Sequence, residues 1–420
     1  MKDRFLCGVV VDGSAVPGGC NEQERDYSGR QRGDAASSAD AGHVGKRPVA
    51  PSFQGNSAGR DGGAFGIGGS LMRVDKNYCM SSYLAFRYIE RDDKDFYEGM
   101  RHKNIPLIPD DEKIHVATAG DISEGIENQL AQVCANKKVG VLLSGGMDSA
   151  IVASFAPGCD AYTFRFLGGA YQKEELSRAE YFARYYGLKL HYVDITWEVV
   201  EQCVDKVMIN KCCAVHSIEP QIYRAAIQAQ NDGIELMLIG NGADYVFGGM
   251  DKLLSTDWGF EQFVNRYCSL NPAAVLQESV DIIDAFEPFR LPGNKINFLG
   301  FLSTLAIQES YSSYWNAFQT AFMPYYDPYV RFSLRNPLDL RRIRNGEPKY
   351  FIRELMAQRY PEISVPSKNP MPRPVDVYFS DWSGPRRKEF KRGLNMADFT
   401  GNQKWQMWCL EHFLNLYEKE

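Results

Sequence analysis

Nowhere in the sequence do apolar residues run on for the ~18–20 positions that a membrane-spanning helix needs. The apolar patch in MKDRFLCGVVVDGSAVPGGC is too brief, and too soon interrupted, for the core of an export signal. A reducing, cytoplasmic setting is therefore expected. A basic excess is missing too. The chain has 47 Lys and Arg against 53 Asp and Glu, a formal charge of -6, so it lacks the positive footprint of a nucleic-acid binder. Ten cysteines occur without one C-x-x-C pair, and Cys212 and Cys213 are adjacent. Neither a zinc ribbon nor a disulfide framework is indicated, and the cysteines read as mostly buried thiols. G-x-x-x-x-G-K-S/T is absent, and no G-x-G-x-x-G follows the first strand of the repeating region, so a Walker-type loop and a dinucleotide fingerprint are both ruled against. No internal repeat is visible.

What is present is an ordinary globular composition, 44% hydrophobic and 24% charged, over 420 residues, enough for two or more domains. Residues 1–71 read as a low-complexity arm; 13–70 are rich in Gly, Ser, Ala, Asp and Arg and bury too little apolar surface to offset ordering entropy, so disorder is expected. Residues 72–118 form a linking segment, with order beginning near Tyr78: YCMSSYLAFRYI has helical apolar spacing and KIHVATA reads as extended. Residues 119–420 form the main domain. Its first helix is expected from Asp121 to Cys134, with Asp121 as cap and Glu124 in capping-box position. KKVGVLLS, DAYTFRF, KLHYVDI and IELMLIG then read as strands alternating with helices, including KEELSRAEYFARYYG, which Gly187 ends. Continuous apolar strands alternating with helices predict an α/β fold, a Rossmann-like parallel sheet covered on both faces. After Gly249 the strand signal fades. The C-terminal region reads as aromatic-rich and helical, with helices over 259–267, 297–314, 349–359 and 403–417.

In such a sheet ligands bind beyond the carboxyl ends of the strands. Two glycine-rich stretches fall there: Ser144-Gly145-Gly146-Met147-Asp148-Ser149 and GNGADYVFGG, from Gly240 to Gly249. Glycines admit close backbone approach, and amides at a helix start, with the hydroxyls of Ser144 and Ser149, suit an anion. An aspartate in each stretch would repel a phosphate unless a cation lay between them, which points to Mg²⁺ between carboxylates and phosphates. The bland alternative is a pair of tight turns, with Asp244 as a helix cap.

SGGMDS resembles the pyrophosphate loop of the ATP-pyrophosphatase superfamily (the HUP, or adenine-nucleotide alpha-hydrolase, class of fold), and GNGADYVFGG resembles the second glycine motif of the asparagine synthetase family. Further matches follow in order: Thr163-Phe164, EELSRAEYFARYYGLKLH, Glu219-Pro220, MPYYD, NGEPKYFIRELMAQRYPE and then Pro366-Ser-Lys368. YLAFRYIERDDKDFYEGMRH resembles the linker into the synthetase domain. The resemblance covers the synthetase part only. The glutaminase domain expected after a catalytic N-terminal cysteine has no counterpart, and Cys7 matches that start only faintly. Four positions depart from the family pattern, namely Asn241, Tyr245, Thr320 and Phe322, which puts aspartate as substrate in doubt.

The resemblance implies ATP and Mg²⁺ as cofactors, and adenylation of a small-molecule carboxylate followed by attack of ammonia or an amine, with a separate glutaminase as one nitrogen source. It assigns Asp148 and Asp244 to Mg²⁺. Ser144, Gly145, Gly146 and Ser149 would cradle pyrophosphate. Thr163 and Phe164 would hold adenine, with Leu142, Gly240 and Gly242 flanking the nucleotide. Lys368 would close over the α-phosphate. Lys349 and Arg353 are rival cations, but their i, i+4 spacing suits a helix surface. His191 reads as structural, and His216 or Glu219 as a contact to the acceptor. Tyr311, Tyr314, Trp315, Tyr325 and Tyr326 are candidate walls of an acceptor pocket, and such faces would suit a sugar. Two other readings stand beside the ligase: a nucleotide-binding pseudoenzyme or scaffold, and a pyrophosphate-loop enzyme that thiolates tRNA. The last predicts reactive cysteine pairs and a basic face.

Overall fold

Five parallel strands form the central sheet of the computed structural model: β1 (Val139–Leu142), β2 (Asp160–Phe166), β3 (Lys189–Ile195), β4 (Leu236–Leu238) and β5 (Tyr325–Tyr326). The structure describes residues 73–167, 172–250, 257–336, 348–364 and 375–418. The arm expected at 1–71 and the loop lysine Lys368 lie outside them. All the described residues belong to a unit that runs from Gly68 to Glu420.

The strand order is β3-β2-β1-β4-β5. Val141 of β1 lies opposite Ala161 of β2 on one side and Leu238 of β4 on the other. The chain therefore winds outward in both directions from β1. This is the switch point at which a doubly wound sheet opens a crevice beyond its carboxyl edge. The expected α/β architecture with a parallel sheet is present.

Alternation along β1 divides the core. Val141 and Leu143 pack with α2 (Ala119–Val133), α3 (Met147–Ser154) and α4 (Gln172–Tyr185). Leu142 faces the other layer, built on α1 (Lys76–Phe86), α5 (Trp197–Lys211) and α6 (Glu219–Asn231). Three later helices complete the layers: α8 (Ile307–Thr320) and α10 (Gly401–Tyr417) join the second core, and α9 (Tyr350–Arg359) the first. The short helix α7 (Ala243–Phe247) follows β4.

Three local expectations change. Helix α2 begins at Ala119, not Asp121. The Thr118 hydroxyl caps it by accepting from the Asp121 amide at 3.0 Å, while the Asp121 carboxylate reaches back to the Ala117 amide at 2.8 Å. Glu124 is exposed and takes no part in the cap that the structure makes. The strand signal does not end at Gly249. Tyr325–Tyr326 pairs with Met237–Leu238 at the sheet edge, too short a strand for periodicity to reveal. The helix expected over 297–314 is interrupted: after Phe298–Phe301, residues Leu302–Ala306 form a π-helical turn before α8. The extended piece Ile114–Val116 pairs with Phe332–Leu334, apart from the central sheet.

The cap assignment is directly testable. Thr118→Ala should cost about 1 kcal/mol in urea unfolding, whereas Glu124→Ala should change stability by less than about 0.5 kcal/mol, the usual range for surface positions. The opposite ranking would restore Asp121 and Glu124 as the cap.

Candidate active site

Both glycine stretches lie at the carboxyl edge of neighbouring strands, SGGMDS after β1 and GNGADYVFGG after β4. In the first, the Ser149 hydroxyl accepts from the Ser144 amide at 2.9 Å and lies 2.9 Å from the Ser144 hydroxyl, which accepts from the Gly146 amide at 3.1 Å. The two serines thus shape the loop from within. Gly146 is the N-cap of α3, so no side chain caps that helix, and its first amides suit an anion. Gly145 is needed for packing: a β-carbon there would lie 2.5 Å from the Glu175 carbonyl oxygen. Arg178 Nε donates to the Gly145 carbonyl at 2.9 Å and holds the loop against α4.

The second stretch is pressed against the first. A β-carbon on Gly240 would sit 2.8 Å from the Asp148 carbonyl oxygen and 3.0 Å from the Ser149 nitrogen. Only glycine allows that backbone approach. The Gly242 amide is already used: with the Asn241 amide it donates to Asp327 Oδ2, at 2.8 and 3.0 Å. Asp327 Oδ1 accepts from the Tyr329 amide at 3.0 Å. Burial pushes the Asp327 carboxyl up to about 7, against these three donors, which favour the ionised form.

Lys349 is the principal departure from the sequence reading. It is not a surface cation on a helix face. It stands at the N-cap of α9 in the left-handed conformation (φ 61°), its side chain only 3% exposed. Its ammonium donates to Asp148 Oδ1 and Oδ2 at 2.6 Å each and to Asp244 Oδ1 at 2.8 Å. Burial alone would lower its pKa, but the two carboxylates outweigh burial and hold it above the ordinary lysine value. At the far end of α9, Arg359 donates to the Ser154 hydroxyl and carbonyl at 2.8 and 2.6 Å. Helix α3 is therefore pinned at both ends by α9. Gly346 and Pro348, shortly before it in the sequence, were the signal that Lys349 precedes the helix instead of lying on its face.

The side chains of Asp148 and Asp244 are 25% and 29% exposed, so both carboxylates reach solvent in part. No group of three or more metal-ligating His, Cys, Asp or Glu side chains occurs among the described residues. The pair therefore fits a magnesium ion that takes one or two carboxylates and draws its other ligands from substrate phosphates and water.

The other sequence candidates separate. Leu142 and Thr163 are buried within strands β1 and β2, and Phe164 is half-buried beside the second core. His191 hydrogen-bonds Asp160 at 2.6 Å and stacks on Tyr162, a structural role. Glu219 does not line the cavity beyond Gly242. It is fully buried, paired with Lys211 at 2.7 Å and accepting from Asn316 at 2.6 Å and from the His216 amide at 2.8 Å. The four departures have local partners or exposure of their own. Asn241 Oδ1 accepts from the Ser310 hydroxyl, Tyr245 packs edge-on to Tyr311, and the Thr320 hydroxyl donates to the Asn316 carbonyl. Phe322 is 80% exposed with φ 54°.

Beyond Gly242 lies a cavity of about 380 Å³. Tyr311, Tyr314, Tyr325 and Tyr326 line it, whereas Trp315 does not. Asn241 and Asp327 stand at its inner side, and Ile105–Ile108 of the linking segment contributes to its wall.

The asparagine synthase family matches residues 122–297. This span holds both glycine motifs and both aspartates. Residues 122–297 form an asparagine synthase domain. A protein of Methanocaldococcus jannaschii named as a glutamine-hydrolysing asparagine synthetase is 35% identical over 124 residues, which cover 29% of this chain and 23% of that protein. One from Acanthamoeba polyphaga mimivirus, of the same name, is 23% identical over 35% of this chain and 28% of its own length. The chain thus matches about a quarter of each relative, and the match to the family lies in the synthetase part. Among solved structures, NMN synthetase from Francisella tularensis is 17% identical, covers 32% of this chain and 59% of its own, and has a TM-score of 0.24. A U34-tRNA thiolase from Methanococcus maripaludis is 16% identical over 48% of this chain and 77% of its own, with a TM-score of 0.25. Superpositions this loose locate no residue of the site. Asp327 and Lys349 lie beyond the span that matches the family.

Two variants test the geometry. Gly240→Ala forces a methyl against backbone that cannot rotate away, and should lower stability by about 1–3 kcal/mol; an unchanged melting temperature would contradict the contact. For Asp327, the folded chain keeps the proton up to about pH 7, whereas an ordinary aspartate releases it near 3.8. Raising the pH through that window therefore favours the unfolded chain. The stability of the wild type relative to Asp327→Asn should fall between about pH 4 and pH 7 in urea unfolding. A difference independent of pH would show that Asp327 titrates normally.

Proposed function

We propose that this chain is an AMP-forming carbon–nitrogen ligase of the asparagine synthetase kind. A small carboxylate attacks the α-phosphorus of ATP, forming an acyl-AMP and releasing pyrophosphate. Ammonia or an amine then attacks the acyl carbon, giving the amide, AMP and a proton. The nitrogen comes from free ammonia, an amine substrate or a separate glutaminase.

The observation that carries this reading is the junction of Asp148, Asp244 and Lys349, directly beside the uncapped start of α3. Leaving pyrophosphate is the most highly charged species of such a reaction, and fixed donors and cations lower its cost. In this reading the α3 amides and the loop serines bind it. Lys349 orients both carboxylates. A magnesium ion held there by Asp148 and Asp244 would supply charge neutralisation to the phosphates. Lys368, outside the described residues, is assigned to the α-phosphate by resemblance alone. The cavity beyond Gly242 takes the acceptor.

The thiolation reading fits less well. Sulfur transfer needs an accessible thiolate, and burial pushes Cys159 and Cys409 up to about 12 and raises Cys79, Cys134, Cys203, Cys212 and Cys213 as well. Among the described residues no helix is long and apolar enough to cross a membrane.

The test is carboxylate-dependent ATP–pyrophosphate exchange, with AMP measured directly when ammonium is added. Pools of small carboxylates should support exchange. Asp148→Asn should abolish it, and Lys349→Met should lower it by about 10²–10³-fold, by analogy with a lost transition-state donor. ADP as the product would overturn adenylation. Tight ATP binding without exchange in any pool would favour the pseudoenzyme.

A further inference from the structure

The cavity beyond Gly242 has two properties that bear on what fills it. Its walls are aliphatic and aromatic: Ile239, Val246, Ile307, Tyr314 and Phe332 contribute, with Pro106 and Leu107 from the linking segment. Polar groups are few and lie at its ends. At the outer end are Lys113, Arg331 and the exposed Ser303 and Thr304, and at the inner end Asn241 and Asp327. Its volume of about 380 Å³ suits a small organic ligand.

The inner end holds an independent sign of a ligand. Tyr311 is 8% exposed and its hydroxyl is buried with no hydrogen-bond partner. A buried phenol normally finds one, because leaving a hydroxyl unmatched is costly. This hydroxyl lies 3.0 Å from where a β-carbon on Gly242 would stand, and Val330, another wall residue, lies equally close. The Gly240–Gly242 turn thus has Asp148 and Ser149 against one end and the cavity against the other. A carboxylate that accepts from Tyr311 would sit at the end of the cavity nearest the pyrophosphate loop.

The third observation is the π-helical turn, Leu302–Ala306. Such turns widen a helix and occur frequently at functional sites. Here the turn carries Ser303 and Thr304 on the cavity rim, with Ile307 following in the wall.

We propose that the acceptor is a monocarboxylic acid with an aromatic or comparably bulky apolar body, its carboxylate at Tyr311 and Asn241 and its body in the tyrosine-lined cavity. The ligase reading supplies what happens to the acid; where it binds rests on the cavity. Aspartate would bring a second carboxylate and an ammonium into apolar walls. A sugar acid would bury hydroxyls that find too few partners there.

The test is direct binding to the full chain by calorimetry, with 3-phenylpropionate and indole-3-propionate against aspartate and glucuronate, in the presence of a non-hydrolysable ATP analogue. The aryl acids should bind at least about tenfold more tightly, a difference of about 1.4 kcal/mol. Ile307→Trp, which fills the cavity, should weaken them by more than about tenfold. Ser303→Trp, at an exposed position on the rim, should do the same, so that a folding defect in the first variant does not decide the outcome. Both variants should keep the wild-type affinity for the ATP analogue. Equal or tighter binding of aspartate or glucuronate would overturn the assignment, as would aryl binding that neither variant weakens. The ligase reading fails separately: aryl acids that bind in the cavity but support no ATP–pyrophosphate exchange would remove adenylation and leave the cavity assignment intact, whereas exchange supported by aspartate alone would do the reverse.

Discussion

One buried ammonium holds the site together. Lys349 ties Asp148, at the start of α3, to Asp244, at the start of α7, and it does so from the N-cap of a third helix. Burying a charge is costly unless its partners compensate. Here two carboxylates share one cation. The same contact sets the spacing of the two glycine motifs, because Gly240 can approach α3 only if both helices are held in place. Arg359 makes the matching contact at the other end of α3, so the anion-binding helix start is supported along its whole length.

From that junction the division of labour follows through a three-residue turn. Gly240 is backed by the pyrophosphate loop, Gly242 by Tyr311 and Val330, and Asp327 gathers the amides of Asn241 and Gly242 between them. The turn separates a polar crevice from an apolar cavity by the thickness of one backbone. A carboxylate at the inner end of the cavity and a phosphate at the helix start would meet across it. In the proposed adenylation, binding of this kind would orient the two reactants before any bond changes.

Of the four positions that depart from the family pattern, Asn241 lines the cavity, whereas Tyr245, Thr320 and Phe322 do not. Asn241 is engaged with Ser310, and Tyr245 packs against Tyr311. Glu219, placed by the family motif at the start of α6, is committed to a buried network with Lys211 and Asn316. The linking segment at Ile105–Ile108 supplies part of the cavity wall.

The sequence by itself determined the strands β1 to β4, their parallel arrangement, and the two glycine turns at their ends. Those features are local: apolar runs of strand length, helix periodicity and glycine at points of close approach are legible residue by residue. It also located Asp148 and Asp244 on their turns. Tertiary structure alone decided the rest. A two-residue strand such as Tyr325–Tyr326 has no periodicity of its own and exists because β4 offers an edge. Lys349 has the spacing of a surface lysine, and only the packing of α9 against α3 turns it inward between residues some 100 and 200 positions away. The unpartnered Tyr311 hydroxyl and the cavity around it arise where segments distant in the chain fail to fill a space, and no pattern along the sequence encodes a void.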